Sequence, residues 1–252
     1  MIRSIAVLSD IHGVLPALDA VLEEPEVIAA DRIVVTGDMA AGPQPAAVLD
    51  RLLALGERVV WVRGNADREL ADLALGRNVI AADEISEWAA TQLSLAHISL
   101  LDALPHPIKF EIEGFADVLF CHGSPRDENE IMLVDTGIER WAEVLAEVPS
   151  SVTTVVCGHT HMPFMRLAHG RLIVNPGSVG MPYGRPRAHW ALLRDGAVHM
   201  YRSLFMTDAA IASIAQESNY PSILEWIENY ALHTPGDAEA LAVFGPRAGH
   251  ER

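Results

Sequence analysis

The sequence predicts an α/β fold, with parallel strands joined by helices in its first half and more antiparallel strands in its second. Three observations carry this. Ile- and Val-rich runs at residues 2–8, 32–36 and 58–62 each lead into a polar residue, Asp10, Asp38 and Asn65. These three are 28 and 27 residues apart, the length of a βαβ unit. In the back half, His169-Gly170 and Asp195-Gly196 each separate two apolar runs, a hairpin signal.

The elements follow in order. Residues 2–8 alternate little, as expected of a strand buried on both faces. Residues 16–30 carry Leu18, Val21, Leu22 and Ile28 at roughly helical spacing, and residues 45–55 repeat the pattern with Ala46, Val48, Leu49, Leu52 and Leu53. Residues 84–104 read as one or two helices, closed by Pro105 and Pro107. A hairpin is expected over 110–121 with Gly114 near its turn, then an amphipathic helix over 138–146 and a buried strand over 152–157. Hairpins over 164–174 and 188–201 follow. Residues 206–232 read as helical with a break at Pro221. The expected organisation is one domain over 1–232, with a helical appendage from about 206 and a mobile tail over 233–252.

Half of the 252 residues are hydrophobic, enough for a substantial core. No apolar run approaches the roughly 18–20 residues of a membrane helix. Residues 1–9 are too short for a signal-peptide core, so a cytoplasmic location is expected. The formal net charge of −16 argues against a nucleic-acid partner, which needs clustered Lys and Arg. Cys121 and Cys157 each end an apolar run and read as buried small residues; no CxxC spacing points to zinc.

Five short motifs hold the polar chemistry: Asp10-Ile11-His12, Gly37-Asp38, Gly64-Asn65, His122-Gly123 and Gly158-His159-Thr160-His161. Each follows an apolar run, and open α/β sheets bind ligands at such strand ends. Each residue alone has another use. Asp10 could cap a helix, Asp38 and Asn65 could serve turns, and His122 could be a satisfied polar residue. His159 and His161 are harder to explain so, because a Gly-His-Thr-His run closing a buried strand has little structural use. Together the set supplies carboxylate, amide and imidazole donors in numbers that fit two divalent ions. Such a pair, about 3.5–4 Å apart, stabilises in-line displacement at phosphorus. The mixed N/O donor set suits manganese, iron, cobalt, nickel or zinc.

The ordered motifs make the chain similar to the calcineurin-like metallophosphoesterase superfamily, over about residues 1–205. The resemblance implies a four-layer α/β/β/α sandwich of two mixed sheets flanked by helices. It implies that Asp10, His12 and His161 hold one metal, that Asn65, His122 and His159 hold the other, and that Asp38 bridges. A metal-bridging hydroxide is the implied nucleophile, so Asp38, Asn65 and His122 count as catalytic through it. Asn175-Pro176-Gly177-Ser178 and the run after Gly37-Asp38 look like the small bacterial and archaeal phosphodiesterases. Protein Ser/Thr phosphatases carry an acidic-basic pair after Gly-Asp and a His after Gly-Asn, and neither is found here.

That missing His is the main departure. Many members read Gly-Asn-His, where the His is taken to protonate the leaving oxygen; here the position is Ala66. Losing a general acid can cost roughly 10²–10⁴ in rate. Asp67, Arg68, Arg126, His97 or a metal-bound water could replace it. Asp67 and Arg68 read rather as an exposed turn and helix start. Arg126, behind a metal-bearing loop, could clamp a phosphate or pair with Asp127 or Glu128; Arg185 and Arg187 are similar candidates. Trp88 reads as core rather than as a base-stacking platform. Segment 83–108 is a candidate wall of the substrate pocket.

The expected function is hydrolysis of small soluble phosphodiesters, with a phosphate-ester substrate as partner and no membrane. A binding or scaffold role on the same fold is the alternative; retromer contains such a subunit, also without the His. A phosphomonoesterase, or a phosphatase acting on protein or lipid, is a further one. The natural substrate, the native metal and whether the chain forms a homo-oligomer stay open.

Overall fold

The computed structural model describes residues 2–233 and 235–248. The first three strands, β1 (Ser4–Leu8), β2 (Arg32–Val35) and β3 (Val59–Trp61), pair in parallel. The residues between them form α1 (Leu15–Leu22), α2 (Pro25–Ala29) and α3 (Pro45–Leu53). The helix expected over 16–30 is therefore two, because Pro25 cannot donate to the helix before it but fits the first turn of a new one. After β3 comes α4 (Asn65–Ala74), then α5 (Glu84–Thr91) and α6 (Leu95–Asp102). Asp83 and Ser94 cap these two, accepting from the N–H groups of Ser86 and His97.

The second half supplies β4 (Ile108–Ile112), β5 (Ala116–Phe120), α7 (Ile138–Val144), β6 (Val152–Val156), β7 (Phe164–Ala168), β8 (Arg171–Asn175), β9 (Arg187–Arg194) and β10 (Ala197–Leu204). The first sheet runs β10-β9-β1-β2-β3, with β9 antiparallel to β1 and to β10. The second runs β4-β5-β6-β8-β7, parallel at β5-β6-β8 and antiparallel at both edges. Both sheets are mixed, and β9 joins the first sheet from far along the chain, a pairing with no local signature.

Alternation along each strand divides the core into three interfaces. Ile5, Val7 and Val34 meet Val118, Phe120, Val156 and Val174 between the sheets. The opposite faces, including Ala6, Leu8, Ile33, Val35 and Trp190, pack under helices of the first half. Leu119, Cys121, Val155, Cys157 and Ile173 pack against Trp141 and Val144 of α7. Three interfaces make four layers, α/β/β/α. Both cysteines are buried and free, and burial pushes the Cys157 thiol up to about 12.

Beyond β10 lie α8 (Asp208–Glu217), α9 (Ile223–Trp226), a π-helical turn (Ile227–Leu232) and α10 (Asp237–Arg247). The mobile tail expected from 233 is corrected over α10, which buries Ala240 and Phe244. Its Gly-, Pro- and Ala-rich composition hides a short apolar face. Residues 249–252 of that expected tail lie outside the described residues. Among the described residues no helix is long and apolar enough to cross a membrane.

Candidate metal centre

The strand ends bring the motif residues together. Asp10 and His12 follow β1, Asp38 follows β2, Asn65 opens α4 after β3, His122 follows β5, and His159 and His161 follow β6. Their donor atoms form two groups that could each hold a metal ion: Asp10, His12 and His161, and Asp38, His122 and His159. Asn65 joins the second group, its Oδ1 lying 3.1 Å from His122 Nε2. Asp38 Oδ2 faces both groups, 3.2 Å from His122 Nε2 and 3.8 Å from His12 Nε2.

The backbone is strained at these positions. Asp10, His12, Asp38, His159 and His161 all have positive φ, between 48° and 67°. Left-handed conformations of non-glycine residues cost on the order of 1 kcal/mol each and cluster at functional sites. They aim five side chains inward from sharp turns. Two glycines permit the crowding: a Cβ at Gly64 would lie 2.2 Å from Asp38 Oδ1, and one at Gly158 2.0 Å from Ser9 Oγ.

The surrounding hydrogen bonds fix each donor. His12 Nδ1, His161 Nδ1 and His122 Nδ1 lie 3.2, 2.9 and 2.7 Å from the carbonyls of Ala41, Met181 and Thr36. A carbonyl only accepts, so each Nδ1 carries a hydrogen and Nε2 is the atom that each ring turns toward the centre. The His12 and His161 Nε2 atoms then face each other across 3.1 Å. Asp10 Oδ1 and His159 Nε2 are buried with no hydrogen-bond partner. Imidazole nitrogens and carboxylate oxygens converging on one point are satisfied by positive charge between them, so the donor set fits bound cations.

The electrostatics agree. Burial would raise Asp10 and Asp38, but the facing histidines outweigh it and hold both carboxylates below their ordinary range. Burial would lower His122, but Asp38 and Asp10 push it up to about 10. His159 is pushed down to about 4 by burial and by His122.

Several supporting residues are not evident from the motifs. Asp67, expected in an exposed turn, is fully buried and accepts from the N–H groups of Asp38, Met39 and Gly64, each at 2.9 Å. Burial and Asp38 raise it to about 7. The signal was an acid at the third position of a helix, which reaches back to free N–H groups. Ser9 Oγ and the His159 N–H donate to Asp10 Oδ2, and the Ala66 N–H donates to Asp38 Oδ1. His106 Nε2 accepts from the His122 N–H. The Asn175 loop locks the back of the site: Asn175 Nδ2 donates to the Gly158 carbonyl and Ser178 Oγ to that of Asp10.

Other candidates lie elsewhere. Arg126 is not turned to the centre: it makes a two-pronged ion pair with Glu130 at 2.7 and 2.9 Å, so the phosphate clamp is corrected to a surface pair. Its partner is neither Asp127 nor Glu128. Arg68 pairs with Glu128 at 3.1 Å. His97 is buried and joins α6 to Asp50 of α3 at 2.9 Å, away from the centre. Arg185 is exposed and Arg187 half-buried, and neither lines the centre's cavity. Trp88 packs on the first core and on Tyr220.

The centre opens into a cavity of 350 Å³ whose walls include His12, Asp38, Asn65, Ala66 and His161. Residues 82–86, before and at the start of α5, form one wall, and residues of α9 and the π turn form another. On the far side, α10 sets Phe244 edge-on against His159 and Tyr183.

Comparison with known proteins adds independent findings. Residues 4–195 match the family described as the calcineurin-like phosphoesterase superfamily domain. The phosphodiesterase YfcE of Escherichia coli K12 is 27% identical over 194 residues, covering 73% of this chain and 84% of that protein. An uncharacterised protein of Methanocaldococcus jannaschii is 28% identical over 208 residues, covering 72% and 79%. The crystal structure of a metallophosphoesterase from Sphaerobacter thermophilus superposes with a TM-score of 0.68 at 26% identity, covering 89% of this chain and 98% of that one.

Proposed function

Because this chain belongs to the calcineurin-like phosphoesterase superfamily, we propose that it is a phosphodiesterase that hydrolyses small soluble diesters at a pair of divalent cations. One observation carries the reading. The Nε2 atoms of His12 and His161 face each other at 3.1 Å, with Asp10 Oδ1 3.3 Å from His161 Nε2, a convergence of donor atoms that a bound cation would satisfy. Asp10, His12 and His161 would hold one ion, Asn65, His122 and His159 the other, with Asp38 between them. When bound, such ions supply Lewis acidity toward phosphoryl oxygens and lower the pKa of water.

The chain's own residues do the rest. The carbonyls of Ala41, Met181 and Thr36 hold three imidazoles in the tautomer that leaves Nε2 free. The Ala66 N–H occupies Asp38 Oδ1, leaving Oδ2 to face both groups. Asp67 holds residues 38 and 39 in place.

Two features favour diesters over monoesters. Ala66 brings no proton donor to the cavity, which costs least when the leaving group needs little protonation. The cavity is also lined by Glu69, Asp83, Glu84 and Glu225, with no Lys or Arg among its described wall residues. A monoester dianion brings one more negative charge into that field than a diester does. The relation to a protein named as a phosphodiesterase supports the same choice.

The test compares bis-p-nitrophenyl phosphate with p-nitrophenyl phosphate. The metal-free protein is reloaded in turn with manganese, nickel, cobalt and zinc. The expected result is metal-dependent cleavage of the diester, lost in Asp38→Asn. Preference for the monoester would replace this reading with a phosphomonoesterase. No turnover with any metal would move it to a binding role.

A further inference from the structure

A second cavity, of 250 Å³, takes its walls from β7 and β10, the edge strands of the two sheets, and from β9. None of the candidate metal ligands is among its described wall residues, so it is separate from the centre above. Its place follows from strand alternation. Ala191 and Leu193 of β9 belong to the core between the sheets, and His189, two residues before Ala191, shares their face. Across the antiparallel ladder Arg202 is the partner of His189 and Met200 that of Ala191. Such partners project to one side of a sheet. From the second sheet Met165, the partner of Val174, joins the wall. Pro163 and Pro176 complete it.

The buried end of this cavity has an unmet polar group. His189 is 4% exposed, and neither ring nitrogen has a hydrogen-bond partner. Burial, and Arg202 after it, push its pKa down to about 4, so the ring is neutral. A neutral imidazole has one N–H donor and one acceptor, and folded interiors rarely leave either unpaired. Arg202 is exposed at the mouth, and among the described residues it forms no ion pair or side-chain hydrogen bond. Two thioethers and two prolines make up the apolar wall, and methionine adapts its shape to what it touches. A carboxylate has two oxygens, one for a guanidinium and one for an imidazole N–H. We propose that this cavity binds a small monocarboxylate with an apolar body, its carboxylate shared by Arg202 and His189 and its body held between Met165 and Met200. The volume lies below the roughly 300–1,000 Å³ of drug-sized sites and suits a body of about one ring. A free phosphate would leave the apolar wall uncovered. The occupant is not the ester that the centre hydrolyses, and the proposal is independent of the diesterase reading.

Phenylacetate is the probe, with phenylacetamide, benzylamine and acetate as its neutral, cationic and truncated counterparts. The full chain carrying 13C-methyl methionine reports the site by NMR through Met165 and Met200, assigned with Met165→Leu and Met200→Leu. Met181, which lines the metal-centre cavity, is the internal control. Phenylacetate is expected to shift the Met165 and Met200 signals together and saturably, with half-saturation at or below about 1 mM. Acetate, phenylacetamide and benzylamine are each expected to bind about tenfold more weakly or worse, since each lacks the apolar body or the anion. Arg202→Gln, a change at an exposed position, should weaken phenylacetate about tenfold and phenylacetamide little. His189→Leu should weaken phenylacetate several-fold by removing the imidazole N–H. No saturable shift at Met165 and Met200 would overturn the proposal and leave the cavity to water. A response at Met181 without one at Met165 and Met200 would overturn it by placing the carboxylate at the metal centre. Phenylacetamide or benzylamine binding as tightly as phenylacetate, or an affinity for phenylacetate unmoved by Arg202→Gln, would overturn it too.

Discussion

Replacing His189 with leucine should remove a specific acid sensitivity of the fold. His189 lies in β9, only 4% exposed, and both ring nitrogens lack a hydrogen-bond partner. Its main chain is tied to the Asn175 loop through a 2.9 Å bond from its N–H to the Ser178 carbonyl. Burial first, and Arg202 second, push its pKa down to about 4. The unfolded chain restores a value of about 6.5. Between these values the unfolded state binds a proton that the folded state refuses. Stability from this group is therefore complete above about pH 6.5 and is lost as pH falls toward 4. Going from pH 7 to pH 5, the loss is about 2 kcal/mol. Urea unfolding of metal-free protein at both pH values measures it, in the parent chain and in His189→Leu. The parent should lose about 2 kcal/mol more than the variant over that interval. The variant should also match or exceed the parent at pH 7, because two unsatisfied polar atoms leave the interior. Parallel pH profiles would refute the reasoning.

Three further outcomes are expected. Asp67→Ala removes the acceptor for three buried N–H groups behind Asp38 and Gly64; metal affinity by calorimetry should fall about 10–100-fold, and an unchanged affinity would mean the loop holds itself. Ala66→His places an imidazole on the cavity wall; it should speed cleavage of alkyl diesters by about 10²-fold and of p-nitrophenyl diesters far less, and equal effects on both would argue against a missing acid. Phe244→Ala removes the contact of α10 with His159 and Tyr183; amide exchange should accelerate over residues 237–247 while β1 and β6 keep their protection, and uniform acceleration would show that α10 is part of the main cooperative unit.

The residues of the candidate metal centre were legible as a group because each follows an apolar strand, and strand ends converge in an α/β sheet. The two-sheet division was only half legible. The local hairpins β4-β5, β7-β8 and β9-β10 have turn signals, while the pairing of β1 with β9 depends on tertiary packing. Asp67 was misread as exposed because its burial depends on the 37–39 loop arriving from another strand. Arg126 fits a phosphate clamp by position, but Glu130, four residues on in the same loop, takes up its guanidinium. The positive φ angles at five of the candidate ligand positions are only weakly signalled by residue type, since Asp and His enter the left-handed region more readily than most residues but do not require it. The acidic cavity wall was invisible because Glu69, Glu84 and Glu225 come from three separate helices.

The proposed function requires that the facing donors of Asp10, His12, His161, Asp38, Asn65, His122 and His159 take up two cations. Calorimetric titration of the metal-free protein with manganese measures this directly. Two ions should bind per chain, both weakened by Asp38→Asn because Asp38 Oδ2 faces both groups. A single ion, no binding, or two ions indifferent to Asp38→Asn would contradict it.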